Sequence, residues 1–245
     1  STALRRLLRG ILGLGGMGLN AKWLIFRYIL NAPRPKAPSR ILDFGSGNGV
    51  FTFAMQKKWP TARIWAIDGN AKDVENSAKI TKKLSINNLS FTHILFENFE
   101  FREKFDLIIC LDSIYYSENG INYLEKLMDS LNPGGQIIIS MPTPDKFYRT
   151  SFVYYENFVD IERLSSTFNV KNVELALERG GLSIEKTIHY PGFILSRIIG
   201  WQEKAPWLVR IFYPIFRIVL FLNTEKKRGE STHFMISAWR NKNFE

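Results

Sequence analysis

The sequence predicts an α/β fold, a seven-stranded and mostly parallel sheet with helices on both faces. Three observations carry that expectation. Apolar runs of strand length alternate with segments of helical spacing through the middle of the chain. The loop joining the first such strand to the first such helix is the glycine-rich DFGSGNG, at Asp43 to Gly49. Crossover connections between parallel strands are right-handed, which lays the intervening helices over both sheet faces.

Taken in order, the chain opens on two amphipathic helical pieces, ALRRLLRGIL and AKWLIFRYIL, with GLGGMG (Gly13 to Gly18) as a break between them. Residues 1 to 20 also have the Arg-rich, acid-free look of a signal or transit peptide. They are read here as part of the folded chain, with a longer natural precursor left open. NAPRPKAPS is a Pro-rich connector to the domain proper. Strands are expected at about 39–44, 62–68, 90–96, 105–111 and 135–141, and helices at about 49–58, 70–84 and 118–131. Pro142 and Pro144 open an insertion to residue 168. Gly180 and Gly181 read as a helix stop after NVKNVELALER at 169–179, and LSIEKTIHY and THFMISAWR, at 182–190 and 232–240, are further runs of strand length. The expected division is residues 1–38, basic apolar helices and connector, and residues 39–245, one domain with insertions at 142–168 and 191–231.

The two glycine loops compete for the same role, and local context separates them. A loop that presents backbone N–H groups to a ligand needs a buried strand before it and a helix after it. GLGGMG follows a segment with arginines where a buried strand would be apolar. DFGSGNG follows SRILDF and precedes VFTFAMQKKW, and Asp68 closes the next apolar run, 21 residues after Gly47. A carboxylate there can accept from both hydroxyls of a ribose.

ILDFGSGNG, IDGN, FDLIICLD and LNPGGQIIIS, in that order, resemble the four motifs of the class I S-adenosylmethionine-dependent methyltransferases, a Rossmann-like family, over roughly residues 39 to 141. The dinucleotide fingerprint is the competitor, but it wants G-x-G-x-x-G and the spacing here is G-x-G-x-G. The resemblance implies S-adenosylmethionine as cofactor and an antiparallel seventh strand beside the sixth. It implies that Asp43 orients the loop, that Gly45, Ser46, Gly47 and Gly49 let the backbone approach the cofactor, and that Asp68, with Gly69 after it, holds the ribose. Glu97 and Asn98 fall where the family reads the adenine amino group, and Asp112 falls at the methyl-transfer mouth.

Charge and hydropathy add an expectation about the acceptor. The net charge is +10, of which residues 1–42 carry +8 and residues 191–230 carry +4, leaving −2 for the rest. Both basic segments are rich in large apolar residues, unlike a solvated nucleic-acid arm. PWLVRIFYPIFRIVLFL, from Pro206 to Leu222, is too short and too interrupted by Pro214 to span a bilayer, and suits a helix lying in the interface with Arg210 and Arg217 toward headgroups. Packing onto the domain or onto a second copy is the alternative for these residues. Both insertions belong at the carboxyl edge of the sheet, where ligands of open parallel sheets bind, so they are expected to form a lid.

Among the histidines, His93 lies within a strand and is read as structural, while His189 ends strand six and His233 opens strand seven, so both are candidate bases. Tyr115 and Tyr116 are candidates to line the acceptor pocket or orient a hydroxyl, and FYRTSFVYYENF, at 147–158, either walls that pocket or packs the lid. The catalytic expectation is His189, Tyr116 and Asp112. Cys110, the single cysteine, sits in the run LIICL and reads as a buried thiol, which excludes an internal disulfide framework and suggests an intracellular setting. No His or Cys spacing suits a metal.

The sequence therefore leads to a methyltransferase bound peripherally or monotopically at the cytoplasmic face of an anionic membrane, acting on a lipid-like or lipid-linked acceptor. The alternatives are a nucleic-acid methyltransferase and a non-catalytic cofactor-binding module with a protein partner. Enzymes of exocyclic base amines carry [D/N/S]-P-P-[Y/F/W] where this chain reads LDSIYY, which weighs against nucleic acid. Oligomeric state is left open.

Overall fold

A computed structural model of the 245-residue chain describes residues 26–27, 29–100, 102–116, 120–143, 168–190, 215 and 233–241. GLGGMG, the aromatic cluster 147–158, and all of 191–231 except Ile215 lie outside the described residues. The described residues fall into two units. One holds 33–141, 170–187 and 236–241, and the other holds 26–32, 142–143, 168–169, 188–190, 215 and 233–235.

The element order is β1 (Arg40–Phe44), α1 (Val50–Lys58), β2 (Arg63–Asp68), α2 (Ala71–Lys83), β3 (Leu89–His93), β4 (Phe105–Leu111), α3 (Gly120–Asp129), β5 (Leu131–Pro142), α4 (Val170–Arg179), β6 (Leu182–Tyr190) and β7 (His233–Arg240). Short 3-10 turns follow β3, at Phe96–Asn98, and β4, at Ile114–Tyr116. The seven strands form one sheet in the order β3-β2-β1-β4-β5-β7-β6, and β1 pairs with β2 and β4 in parallel, as do β2 with β3 and β4 with β5. β7 runs antiparallel. Hydrogen bonds show it directly: Ser183 near the start of β6 donates to Asn241 just past the end of β7 (2.7 Å), and Glu185 accepts from Trp239 and Ser237. The expected fold class is the observed one.

Why the central strands are central is legible in their side chains. Ile41, Leu42, Leu107, Ile108, Ile109, Ile137, Ile138 and Ile139 are all fully buried, which a strand covered on both faces requires. Helices contribute one face each: Val74, Ser77 and Thr81 in α2, and Tyr123, Leu124, Leu127 and Met128 in α3, recur at three- and four-residue spacing. The Phe-Asp pair that introduces β4 has a structural task at the other end of the strands. Asp106 accepts from the Ser39 N–H (2.8 Å) and hydroxyl (2.7 Å), the Arg40 N–H (3.0 Å) and Asn132 (2.8 Å), tying the starts of β1, β4 and β5. Partial burial pushes its carboxyl up, but these hydrogen bonds outweigh that and hold it below the usual carboxylate range.

Two boundaries differ from expectation by more than two residues. β3 ends at His93 rather than 96, because its partner β2 runs out at the pair Asp68↔His93 and an edge strand has no other ladder to join. β5 starts four residues early, at Leu131. The step from Phe105 to Leu107 on β4 is matched by the longer step from Leu131 to Gln136 on β5, so the Asn-Pro-Gly-Gly segment is a bulge within the strand rather than a turn before it. Among the described residues no helix is long and apolar enough to cross a membrane.

Candidate functional site

The first glycine loop leaves β1 at Phe44 and enters α1 at Val50. It is pinned across the sheet, where the N–H groups of Gly45 and Ser46 both donate to the Ile67 carbonyl of β2, each at 2.9 Å. Geometry demands glycine at Gly45, Gly47 and Gly49, all of positive φ. Gly45 has φ +86, and a Cβ on it would stand 2.1 Å from the Cβ of Ser113, which holds its own place by donating to the Phe44 carbonyl (2.7 Å). Gly47 has φ +51 and faces open space, with nothing within 4 Å of where a Cβ would project. Gly49 closes the loop as the N-terminal flanking residue of α1.

Asp68 ends β2 and joins this loop to the next one. One carboxylate oxygen accepts the Gly47 N–H (2.7 Å), and the other accepts the Asn70 N–H (2.7 Å). An ionised carboxylate has about four acceptor positions, so two bonds leave about two for a diol. Asn70 in turn caps α2, its side-chain oxygen accepting from the N–H groups of Lys72 (3.1 Å) and Asp73 (3.3 Å). Ser46 is buried, and its hydroxyl has no hydrogen-bond partner among the described residues. A buried hydroxyl without a described partner, open space at Gly47 and a carboxylate with spare acceptor positions together fit a nucleoside ligand that brings its own donors and acceptors. Gly69 and Asn70 follow Asp68 on the rim, while Glu97 and Asn98 stand exposed on the 3-10 turn after β3.

Asp43 lies beneath the loop, paired in register with Ala66 and Ile109 and fully buried. Burial pushes its carboxyl up to about 7, against the pull of the Thr52 hydroxyl that donates to it, and the nearby Asp68 charge adds to the rise. The 3-10 turn bearing Glu97 and Asn98 is set by aromatic packing. Phe96 stacks on Phe44 with centroids 4.3 Å apart, Phe99 meets Phe44 edge-on at 6.0 Å, and Tyr123 lies 6.3 Å from it.

At the end of β4, Asp112 adopts the left-handed conformation with φ +53, unusual without a glycine. Ser140 of β5 grips it twice: the Asp112 N–H donates to the Ser140 carbonyl (2.9 Å), and the Ser140 hydroxyl donates to the Asp112 carboxylate. Tyr115 is a core residue at 2% exposure, whereas Tyr116 is 55% exposed with its ring 4.6 Å from that of Tyr115. Cys110 is a free, buried thiol whose acidity burial suppresses, pushed up to about 12. Among the described residues no group of His, Cys, Asp and Glu could hold a metal ion.

The sheet thus brings Asp43, Gly45, Ser46, Gly47, Gly49, Asp68 and Gly69 to one loop pair, with Glu97 and Asn98 after β3 and Asp112 and Tyr116 after β4. His189, half-buried on β6, belongs to the other unit, as does buried His233, which stacks on Tyr190 at 5.8 Å. Thr52, Ser113, Ser140 and Phe96 were not picked out from sequence. Each acts through a partner distant in sequence and carries no motif of its own. Asn70 could have been found, since Asn immediately before a helical run signals a cap.

A family profile described as a methyltransferase domain matches residues 20–187. Trans-aconitate 2-methyltransferase of Pseudomonas aeruginosa is 26% identical over 114 residues, covering 46% of this chain and 40% of that protein. A tRNA U34 carboxymethyltransferase of Nautilia profundicola is 30% identical over 124 residues, covering 48% and 38%. The chain spans about two fifths of the length of these relatives. Among solved structures, an S-adenosylmethionine-dependent methyltransferase from Mesorhizobium loti aligns at a TM-score of 0.61 over 92% of this chain and 100% of that one, with 17% identity, a likeness of fold.

Proposed function

This chain belongs to the class I S-adenosylmethionine-dependent methyltransferases, and we propose that it transfers the methyl group of that donor to a lipid-like or lipid-linked acceptor, docked at the cytoplasmic face of an anionic membrane. The single observation that carries the transfer reading is the Asp68 bridge, one carboxylate holding both the glycine loop and the start of α2 with acceptor capacity left for a ribose. S-adenosylmethionine supplies, when bound, a sulfonium-activated methyl group. The chain's residues then have to hold the donor, align the acceptor and take a proton where one leaves. Holding falls to Asp68, Ser46 and the loop backbone. For the proton we assign Asp112, kept in place by Ser140, with Tyr116 and His189 as the other candidates.

The lipid acceptor and the membrane are supported by the two basic, apolar segments and by Ile215, 57% exposed within the second of them. The N-terminal segment supports them less, because Phe26, Ile29 and Leu30 of AKWLIFRYIL are buried in the protein. A nucleic-acid acceptor is the second reading, favoured by the net charge of +10 and by the likeness to a tRNA-modifying protein.

Transfer from labelled S-adenosylmethionine into a host-cell extract, followed by partition between organic solvent and water, separates the two. Label in the organic phase is the expected result. Label confined to the aqueous phase would overturn the lipid reading, and ribonuclease sensitivity of that label would establish the second.

A further inference from the structure

We propose that His93 is a positioning residue for ribose recognition, acting on Asp68 through the Gly69–Asn70 peptide; the inference rests on the reading of Asp68 as the ribose acid. Two observations set His93 beside Asp68, and two join it to the carboxylate through that peptide. His93 is the last residue of β3 to pair with β2, directly beside Asp68, and the following N–H, of Ile94, donates to the Asp68 carbonyl (3.1 Å). The His93 ring nitrogen Nε2 lies 3.1 Å from the Gly69 carbonyl oxygen. A carbonyl only accepts, so Nε2 carries the hydrogen. The N–H at the other end of the same peptide, that of Asn70, donates to the Asp68 carboxylate at 2.7 Å.

A trans peptide is planar, so its C=O and N–H turn together. Gripping the Gly69 carbonyl therefore fixes the direction of the Asn70 N–H, and that N–H fixes one oxygen of Asp68. The other oxygen is fixed independently by Gly47. Leu95 confines the turn from the side, since a Cβ on Gly69 would lie 3.3 Å from its methyl carbon. Without the imidazole the peptide keeps only its N–H anchor, and the carboxylate is held less firmly in the orientation in which its spare acceptor positions meet a diol.

The test is a ratio of affinities rather than an activity. Calorimetric titration with S-adenosylhomocysteine and with its 2′-deoxyribose analogue gives the preference for the 2′-hydroxyl. Wild type is expected to prefer the ribose form, and His93→Phe to lose roughly three- to tenfold of that preference, the range for one hydrogen bond, with the melting temperature lowered by no more than about 2–4 °C. His93→Gln, which keeps an N–H donor, should restore most of it. If Phe disturbs the edge strand, His93→Ala reads the same ratio. Unaltered preference in the Phe and Ala variants would overturn the role of His93. Unaltered preference in Asp68→Ala would instead overturn the ribose reading itself.

Discussion

Asp43 shows how one buried side chain ties the glycine loop to pH. Burial pushes its carboxyl up to about 7 in the folded chain from an ordinary 3.8. Between those values the native state holds a proton that the unfolded chain has released, so this group lowers stability as pH rises from about 4 to about 7, on the order of 4 kcal/mol in all. Asp43→Asn keeps an acceptor for Thr52 and removes the titration. Urea melts at pH 4.5 and 7.5 should therefore show the variant losing about 3 kcal/mol less than wild type across that interval; parallel losses would mean that Asp43 titrates normally. Gly45 is a second residue of the loop whose surroundings fix its identity. Gly45→Ala must accept a positive φ and a Cβ 2.1 Å from that of Ser113, together about 3 kcal/mol or more. Ser113→Gly should recover the steric part of that loss in thermal melts, leaving the backbone strain.

At the scale of elements, α2 depends on its first turn. Asn70 supplies the only side-chain cap described for that helix, accepting from the N–H groups of Lys72 and Asp73. Asn70→Ala should cost about 1 kcal/mol, or roughly 2–4 °C of melting temperature in a chain of this size, and Asn70→Ser should restore it. Because the Asn70 N–H, not its side chain, reaches Asp68, cofactor affinity should fall far less than stability. A large affinity loss with a small melting shift would show that the cap side chain also shapes the site. Strand β3 makes a similar point about edges. Its apolar pattern continues to Phe96, but without a partner past His93 the chain turns, and Phe96 is spent on Phe44 instead.

For the whole molecule the open issue is where its charge and its exposed apolar residues are directed. The sheet body accounts for little of the net +10, which is concentrated before residue 43 and in 191–230. Ile215 is exposed, whereas Phe26, Ile29 and Leu30 are not, so the two segments predicted to behave alike differ where they are described. Replacing Arg210 and Arg217 together by Gln should weaken sedimentation with anionic vesicles about tenfold or more, at about 1 kcal/mol per charge near the surface. Ile215→Ser should weaken it further without altering the salt dependence. Binding indifferent to all three changes would assign the segment to packing within the protein or between copies.

The order of strands and helices, the glycine loop and the place of Asp68 at the end of β2 were legible in the sequence because local patterning dictates them: period and turn residues need no distant partner to be recognised. Cys110 as a core thiol was equally plain from its apolar run. What only the tertiary structure decided are the side chains that act across the sheet. Ser113 under Gly45, Thr52 on Asp43, Ser140 on Asp112 and His93 on Gly69 lie at sequence separations from 9 to 68 residues. Serine, threonine and histidine at such positions look like ordinary polar residues until the parallel register sets each beside its partner, since a hydrogen bond reads distance in space and sequence spacing alone does not supply it.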